Sequence, residues 1–249
     1  MIPKILHQTW KNDNIPKEWL PLVRKNRELH PDWDYRLWTD ADNLEFVREE
    51  FPQLLDLFSA YPKGVMRADV IRYMIMFRIG GVYLDLDYEF IRPFDLNQHS
   101  LVLPQNASVE REGFFRIGNC IFGSCPGHEY WQAVFQDLLA VGLPNQPDFD
   151  VEEYTGPGMM TRVFHGLDRE AFEVHEQADR IAAGPDALST IFKPTVRAFH
   201  PKTPRNQREQ SRIQLDKTTY GIHHCAGTWR DQPSVIERIK RRVGRVLSR

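Results

Sequence analysis

Cysteine is scarce: Cys120, Cys125 and Cys225 are the only three in 249 residues, and no two stand in CxxC spacing. That excludes a disulfide scaffold and a cysteine zinc cage. Charge of one sign is not in excess. The formal net charge is −2, from 32 basic and 34 acidic residues, which argues against nucleic-acid binding by a broad basic surface. No uninterrupted apolar run approaches the length of a membrane span. The opening residues form no signal-peptide pattern, since Lys4, His7, Gln8 and Lys11 interrupt it. The loops GxxxxGK(S/T) and GxGxxG are missing, and with them P-loop NTPases and typical dinucleotide binders. There is no GxSxG elbow, and His128-Glu129 and His175-Glu176 lack the second histidine of a zinc protease.

What the chain does have is apolar matter for one large domain, with 41% hydrophobic and 12% aromatic residues. Strands are expected over 4–10 and 35–38, with a helix over 19–29 between them. A second helix, capped by Asp40 or Asp42, runs to about residue 50, and a short one follows Pro52. A mostly buried helix over 67–79 ends at Gly80-Gly81 and feeds a strand from Val82. Short strands over 101–103 and 120–122 come next, then a helix over 129–141, another from Gly156-Pro157-Gly158 to 166, and a strand over 220–224. This alternation predicts an α/β domain with a mostly parallel, Rossmann-like sheet flanked by helices. Ligands of such sheets bind beyond the carboxyl ends of strands.

The run Gly80-Gly81-Val82-Tyr83-Leu84-Asp85-Leu86-Asp87 ends one of those strands. Read as a continuous strand, it sends Asp85 and Asp87 to one side and Leu84 and Leu86 to the other. Two adjacent carboxylates repel unless a cation or a proton resolves them. Oxygen ligands favour Mg²⁺ or Mn²⁺, ions that keep positions open for substrate phosphates. Taken alone, an Asp-x-Asp is more often an acidic strand end in water than a metal site. The preceding helix adds charge to the same neighbourhood. Asp69 and Arg72, three apart, share a helical face. They form either an ion pair that lets a buried helix tolerate charge, or a cluster suited to phosphate and sugar hydroxyls.

Arg67-Ala68-Asp69, Arg72-Tyr73 and the Gly80–Asp87 run together resemble the signature of the DXD-containing sugar-nucleotide glycosyltransferases. That family includes fungal Golgi mannosyltransferases and the catalytic domains of large clostridial glucosylating toxins. Its opening block is similar to Ile2-Pro3-Lys4-Ile5-Leu6-His7-Gln8-Thr9-Trp10, and its closing block to His223-His224-Cys225-Ala226-Gly227-Thr228-Trp229. The three blocks keep the family order over residues 2–229.

The resemblance implies a GT-A-like catalytic domain over 1–232, using Mn²⁺ or Mg²⁺. It implies transfer of a hexose, with retention, from a nucleotide-diphosphate sugar to a glycan or glycolipid hydroxyl, with a UDP-sugar favoured over GDP-mannose. Asp87 would ligate the ion directly, and Asp85 would act through water or the ribose. Of the two histidines, which alternate across a strand, the closing block selects His224 as the ligand. Asp69 and Arg72 would grip the donor sugar, and Arg72 would also support the leaving phosphate. Thr9 and Trp10 would cradle the base, Asn119 would touch the sugar, and Trp229 would close over the phosphates. The Gly156-Pro157-Gly158 loop would flank the acceptor. Trp10 as a plain rim aromatic is an equal alternative. With no membrane anchor in view, the expected location is the cytoplasm.

Two other classes compete. A metal-dependent nucleotide-sugar phosphohydrolase would use the same carboxylates to activate water. A silent carbohydrate-binding module would not need Asp69, Arg72, Asp85, Asp87 and His224 together. Residues 233–249 are expected to form a separate basic helix. Val235, Ile236, Ile239, Val243, Val246 and Leu247 line one side, and six basic residues the rest. That helix packs on the domain or lies on anionic membrane.

Overall fold

The computed structural model describes residues 1–94, 99–106, 116–167, 190–192 and 220–224. The basic helix expected over 233–249 lies outside the described residues, as do Cys225 and Trp229.

The chain opens with β1 (Ile5–Thr9), α1 (Leu20–Glu28), β2 (Asp34–Trp38) and α2 (Asp40–Glu50), followed by a 3-10 turn and α3 (Leu55–Ala60). Then come α4 (Gly64–Arg78), β3 (Gly81–Leu84), β4 (Tyr88–Phe90), β5 (Leu101–Asn106), β6 (Arg116–Ile117) and β7 (Ile121–Ser124). The helices α5 (Glu129–Val141), α6 (Val151–Tyr154) and α7 (Pro157–Gly166) precede β8 (Thr190–Phe192) and β9 (Gly221–His223). The main sheet runs β2-β1-β3-β7-β5-β6, with β8 also on β5. Strands β2, β1, β3, β5 and β8 share one direction, while β7 and β6 run against it. The sheet is therefore mixed, with parallel pairing at β2-β1-β3 and at β5-β8.

Alternate residues of the central strands feed two cores. Val82, Leu84, Val102 and Ile121 join Leu6, Tyr88 and Phe90 in one cluster. Tyr83, Leu101, Leu103 and Phe122 join α4, α5 and α7 in the other. Burial on both faces gives β1 and β3 few exposed positions, so their polar residues must be satisfied internally. Helix α4 begins ahead of the expected residue 67 and is buried from Asp69 to Met76. Its end is set by Gly80 and Gly81, with φ of 72° and 96°. A Cβ on Gly81 would lie 2.7 Å from Ile5 O and 2.9 Å from His7 Nε2, so only glycine lets the turn close onto β1.

The cap of α2 is Thr39, not Asp40 or Asp42. Its hydroxyl accepts from Asp42 N–H, and Asp42 returns the bond to Thr39 N–H in a capping box. His7 is wholly enclosed. Trp38 Nε1–H donates to its Nδ1 at 3.0 Å, so its Nε2–H is left to donate to Gly80 O at 3.0 Å. Burial lowers its pKa from 6.5 to about 3, against the opposing bond to Gly80. Burial likewise lowers His128 to about 4, and His30 falls below its ordinary value. A depressed folded pKa means the unfolded chain binds more protons, so these histidines support the fold fully above pH 6.5 and progressively less below it. Asp69, raised by burial from 3.8 to about 7, acts in the opposite sense: its contribution is full below pH 3.8 and is lost as pH rises toward 7. At pH 5 the His7 ring is expected to remain neutral and protonated on Nε2 in ¹⁵N NMR. A His7 that titrates near the unperturbed 6.5 would contradict this packing.

Candidate active site

Strand β3 stops at Leu84, and the two aspartates stand in the turn that follows. Tyr88 N–H donates to Asp85 O at 3.0 Å, closing residues 85–88 into a four-residue turn. The strand alternation expected through Asp87 therefore does not hold. Asp85 and Asp87 are brought together by a turn, with buried Leu86 between them anchoring it. The turn is tied at three more points. Asp85 N–H donates to Cys120 O at 2.8 Å, and Gln8 Nε2 donates to Asp85 O at 3.3 Å. His224 N–H donates to Asp87 O at 2.9 Å.

The third member of the cluster comes from β9, which pairs antiparallel with β4 in a separate ribbon, Tyr88 opposite His223. His223 Nε2 lies 3.3 Å from Asp87 Oδ1 and 3.7 Å from Asp85 Oδ2. One ligand atom from each of Asp85, Asp87 and His223 can be chosen so that all lie within 4.8 Å of one another. Ligands about 2.1 Å from an octahedral ion stand ~3 Å apart along an edge, so the spacing suits a single cation. Two carboxylates and one imidazole form a donor set for a divalent cation. Burial raises the Asp85 pKa, Arg72 opposes that, and Asp87 adds to it. A divalent ion would relieve both costs.

The closing block implies His224 as the metal ligand, whereas in the structure its Nε2 lies 3.0 Å from Glu89 Oε2. His223 occupies the face toward Asp85 and Asp87. Alternation does separate the pair, but the register of β9 on β4 decides which histidine reaches the cluster.

Asp69 and Arg72 rise from α4 beneath the turn, and Arg72 binds several groups at once. Its Nε donates to Ala68 O and its Nη1 to Asn119 O, both at 2.9 Å. Nη1 is 3.3 Å from Asp85 Oδ1, and Nη2 is 3.5 Å from Asp69 Oδ1. The guanidinium lies over the Tyr83 ring, 4.7 Å from its centre. Asp69 accepts from Asn119 Nδ2 at 3.0 Å and from Thr155 Oγ1 at 3.1 Å. Asp69, Arg72, Asp85 and Asn119 are thus joined in one unit by hydrogen bonds and ion pairs. Arg67 and Arg78 are not part of it: Arg67 donates to Tyr61 O and Arg78 pairs with Glu50.

Thr9 ends β1 with its hydroxyl 3.3 Å from Tyr83 OH, and Tyr83 OH donates to Asp85 Oδ1 at 2.7 Å. Trp10 is half-buried, and its indole N–H donates to Asn14 O at 3.1 Å. Gly156 stands against Asp69, where a Cβ would lie 3.5 Å from Oδ2. Trp229 lies outside the described residues. Sequence reasoning missed Tyr83, Thr155 and His223. Tyr83 carried a signal, because it sits two residues before Asp85 in an alternating run. Thr155 carried none.

Residues 16–107 match the family described as the glycosyltransferase sugar-binding region containing DXD motif. Over those residues the chain is similar to a DXD-containing glycosyltransferase family. Sequence relatives extend the match. Inositol phosphoceramide mannosyltransferase 3 of Schizosaccharomyces pombe is 39% identical over 137 residues, covering 55% of this chain and 37% of that protein. Mannosyl phosphorylinositol ceramide synthase SUR1 of Saccharomyces cerevisiae is 40% identical, covering 55% and 35%. The chain thus spans little more than a third of these two relatives. The initiation-specific alpha-1,6-mannosyltransferase of Candida albicans is 24% identical over 92% of this chain and 72% of its own length. Among solved structures, PaToxG Glycosyltransferase overlaps 66% of the chain and 69% of its own at TM-score 0.49 and 14% identity. Asp69, Arg72, Asp85 and Asp87 all fall inside the matched DXD region, whereas His223 lies beyond it. Among the described residues, no helix is long and apolar enough to cross a membrane.

Proposed function

We propose that this chain is a GT-A-like, metal-dependent, retaining glycosyltransferase. It moves a hexose from a nucleotide-diphosphate sugar to the hydroxyl of a glycan or glycolipid. The observation that carries this reading is the meeting of Asp85, Asp87 and His223, with Arg72 3.3 Å from Asp85 and both aspartates inside the matched region. Asp85, Asp87 and His223 would hold the ion. When bound, Mn²⁺ or Mg²⁺ supplies Lewis-acid stabilisation of the departing diphosphate.

The chain's own residues do the rest. Arg72 is fixed by two carbonyls and two carboxylates, so its charge is already oriented when charge develops on the leaving group. Asp69 and Asn119 present hydrogen-bonding groups beside it for the sugar hydroxyls. Thr9 and Trp10, at the carboxyl end of β1, offer a hydroxyl and an aromatic face to the nucleoside. Retention follows from the family resemblance: the acceptor hydroxyl would attack C1 from the leaving-group side as the bond from C1 to the phosphate breaks, and pass its proton to the departing phosphate oxygen.

The relatives' names shift the favoured sugar from the UDP-hexose expected from the sequence to mannose, and the favoured acceptor to a phosphoinositol-bearing glycolipid. A screen of GDP-mannose, UDP-glucose and UDP-galactose with Mn²⁺, with and without such an acceptor, tests this. Consumption of GDP-mannose with a mannosylated lipid product is expected. Release of free sugar at the same rate with or without acceptor would mean hydrolysis instead, and no consumption of any donor would end the proposal.

A further inference from the structure

Strand β9 meets β4 over only three residue pairs. A two-stranded ribbon that short has little stability of its own, so its anchors decide where His223 lies. On the face opposite His223, Glu89 Oε2 lies 3.0 Å from His224 Nε2, and Glu89 Oε1 accepts from Lys25 Nζ at 2.9 Å. The Glu89 side chain is 4% exposed, while Lys25 reaches it from α1 with 41% exposure. A carboxylate enclosed to that degree is costly unless its partners compensate it, so both bonds matter to the strand that bears it. Helix α1 holds the same strand by its backbone. Asn26 Nδ2 donates to Tyr88 O at 2.9 Å, and Asn26 Oδ1 accepts from Phe90 N–H at 2.7 Å. His224 is therefore held twice, by its ring on Glu89 and by its N–H on Asp87 O.

We infer that Glu89 is a positioning residue for the metal site: clasped between Lys25 of α1 and His224 of β9, it holds β9 where His223 meets Asp85 and Asp87. The two adjacent histidines then divide the work. His223 faces the ion, and His224 anchors the strand. The inference rests on the reading that Asp85, Asp87 and His223 hold a cation.

Mn²⁺ titration of the metal-free full chain, with free Mn²⁺ followed by EPR, tests it without any turnover. Glu89→Ala and His224→Ala are each expected to weaken Mn²⁺ binding by roughly tenfold, the scale for supports lying outside the ligand shell. His224→Gln keeps an N–H that reaches Glu89 and should recover most of the loss. Arg78→Ala, which breaks a surface pair with Glu50 away from the ribbon, should bind as wild type does. Unchanged binding in Glu89→Ala and His224→Ala overturns the inference while leaving the metal site standing. So does a His224→Gln as impaired as His223→Ala, because His224 would then be a ligand. A wild type that takes up no Mn²⁺ overturns the metal reading and the inference together.

Discussion

Asp87→Asn is expected to remove Mn²⁺ binding and reduce glycosyl transfer by about a thousandfold or more, with the fold intact. A direct ligand should cost more than the 10- to 100-fold typical of outer supports. The sign of the stability change separates this from simple damage. Asp85 and Asp87 are two carboxylates in one turn, and Asp87 contributes to the raised pKa of Asp85. Removing one charge relieves that repulsion, so the metal-free variant should melt no lower than metal-free wild type. Wild type should instead gain melting temperature as Mn²⁺ is added, because a ligand that binds only the native state stabilises it by mass action. The variant should show no such gain. An Asp87→Asn that keeps full transfer, or wild-type transfer that survives excess EDTA, would rule out the metal assignment.

Arg72 carries the second large effect, and here substitution by lysine says more than substitution by alanine. Arg72→Ala would leave Asp69 and Asp85 without their cation in a buried place, a change on the order of 3–5 kcal/mol. Arg72→Lys keeps the charge but loses the fork that spans Ala68 O, Asn119 O, Asp69 and Asp85. Transfer by Arg72→Lys should fall by about 10²–10³, the range seen when one fixed donor to a developing charge is lost. Binding of the nucleoside diphosphate alone should change much less. The comparison of kcat with the diphosphate's Kd checks this. Equal losses in both would assign Arg72 to holding the protein together.

Much of this site is legible in the sequence, for local reasons. Gly80-Gly81 marked the end of a buried helix because only glycine tolerates the positive φ and the close approach to β1. Asp85 and Asp87 were rightly read as neighbours, although a turn and not a strand unites them. Two of the differences share one cause, a partner distant in the chain. The choice between His223 and His224 rests on the register with β4, a strand three residues long that no periodicity would reveal. Thr155 reaches Asp69 from a loop 86 residues away. The α2 cap was misassigned for a smaller reason. Thr39 and Asp42 exchange bonds, and reading Asp42 as the cap mistakes its half of the box for the whole.

The ribbon of β4 and β9 also bears on the order in which the protein becomes competent. Glu89 and His224 stand 135 residues apart in sequence, and closing so long a loop costs entropy that three strand pairs repay poorly. The parallel triplet β2-β1-β3 and helix α4 can assemble earlier from shorter separations, with both carboxylates already in their turn. The Asp85–Asp87–His223 cluster would then be the last part to be completed. A chain with most of its sheet in place would be inert until β9 docks, and an ion bridging the two segments would stabilise that final closure.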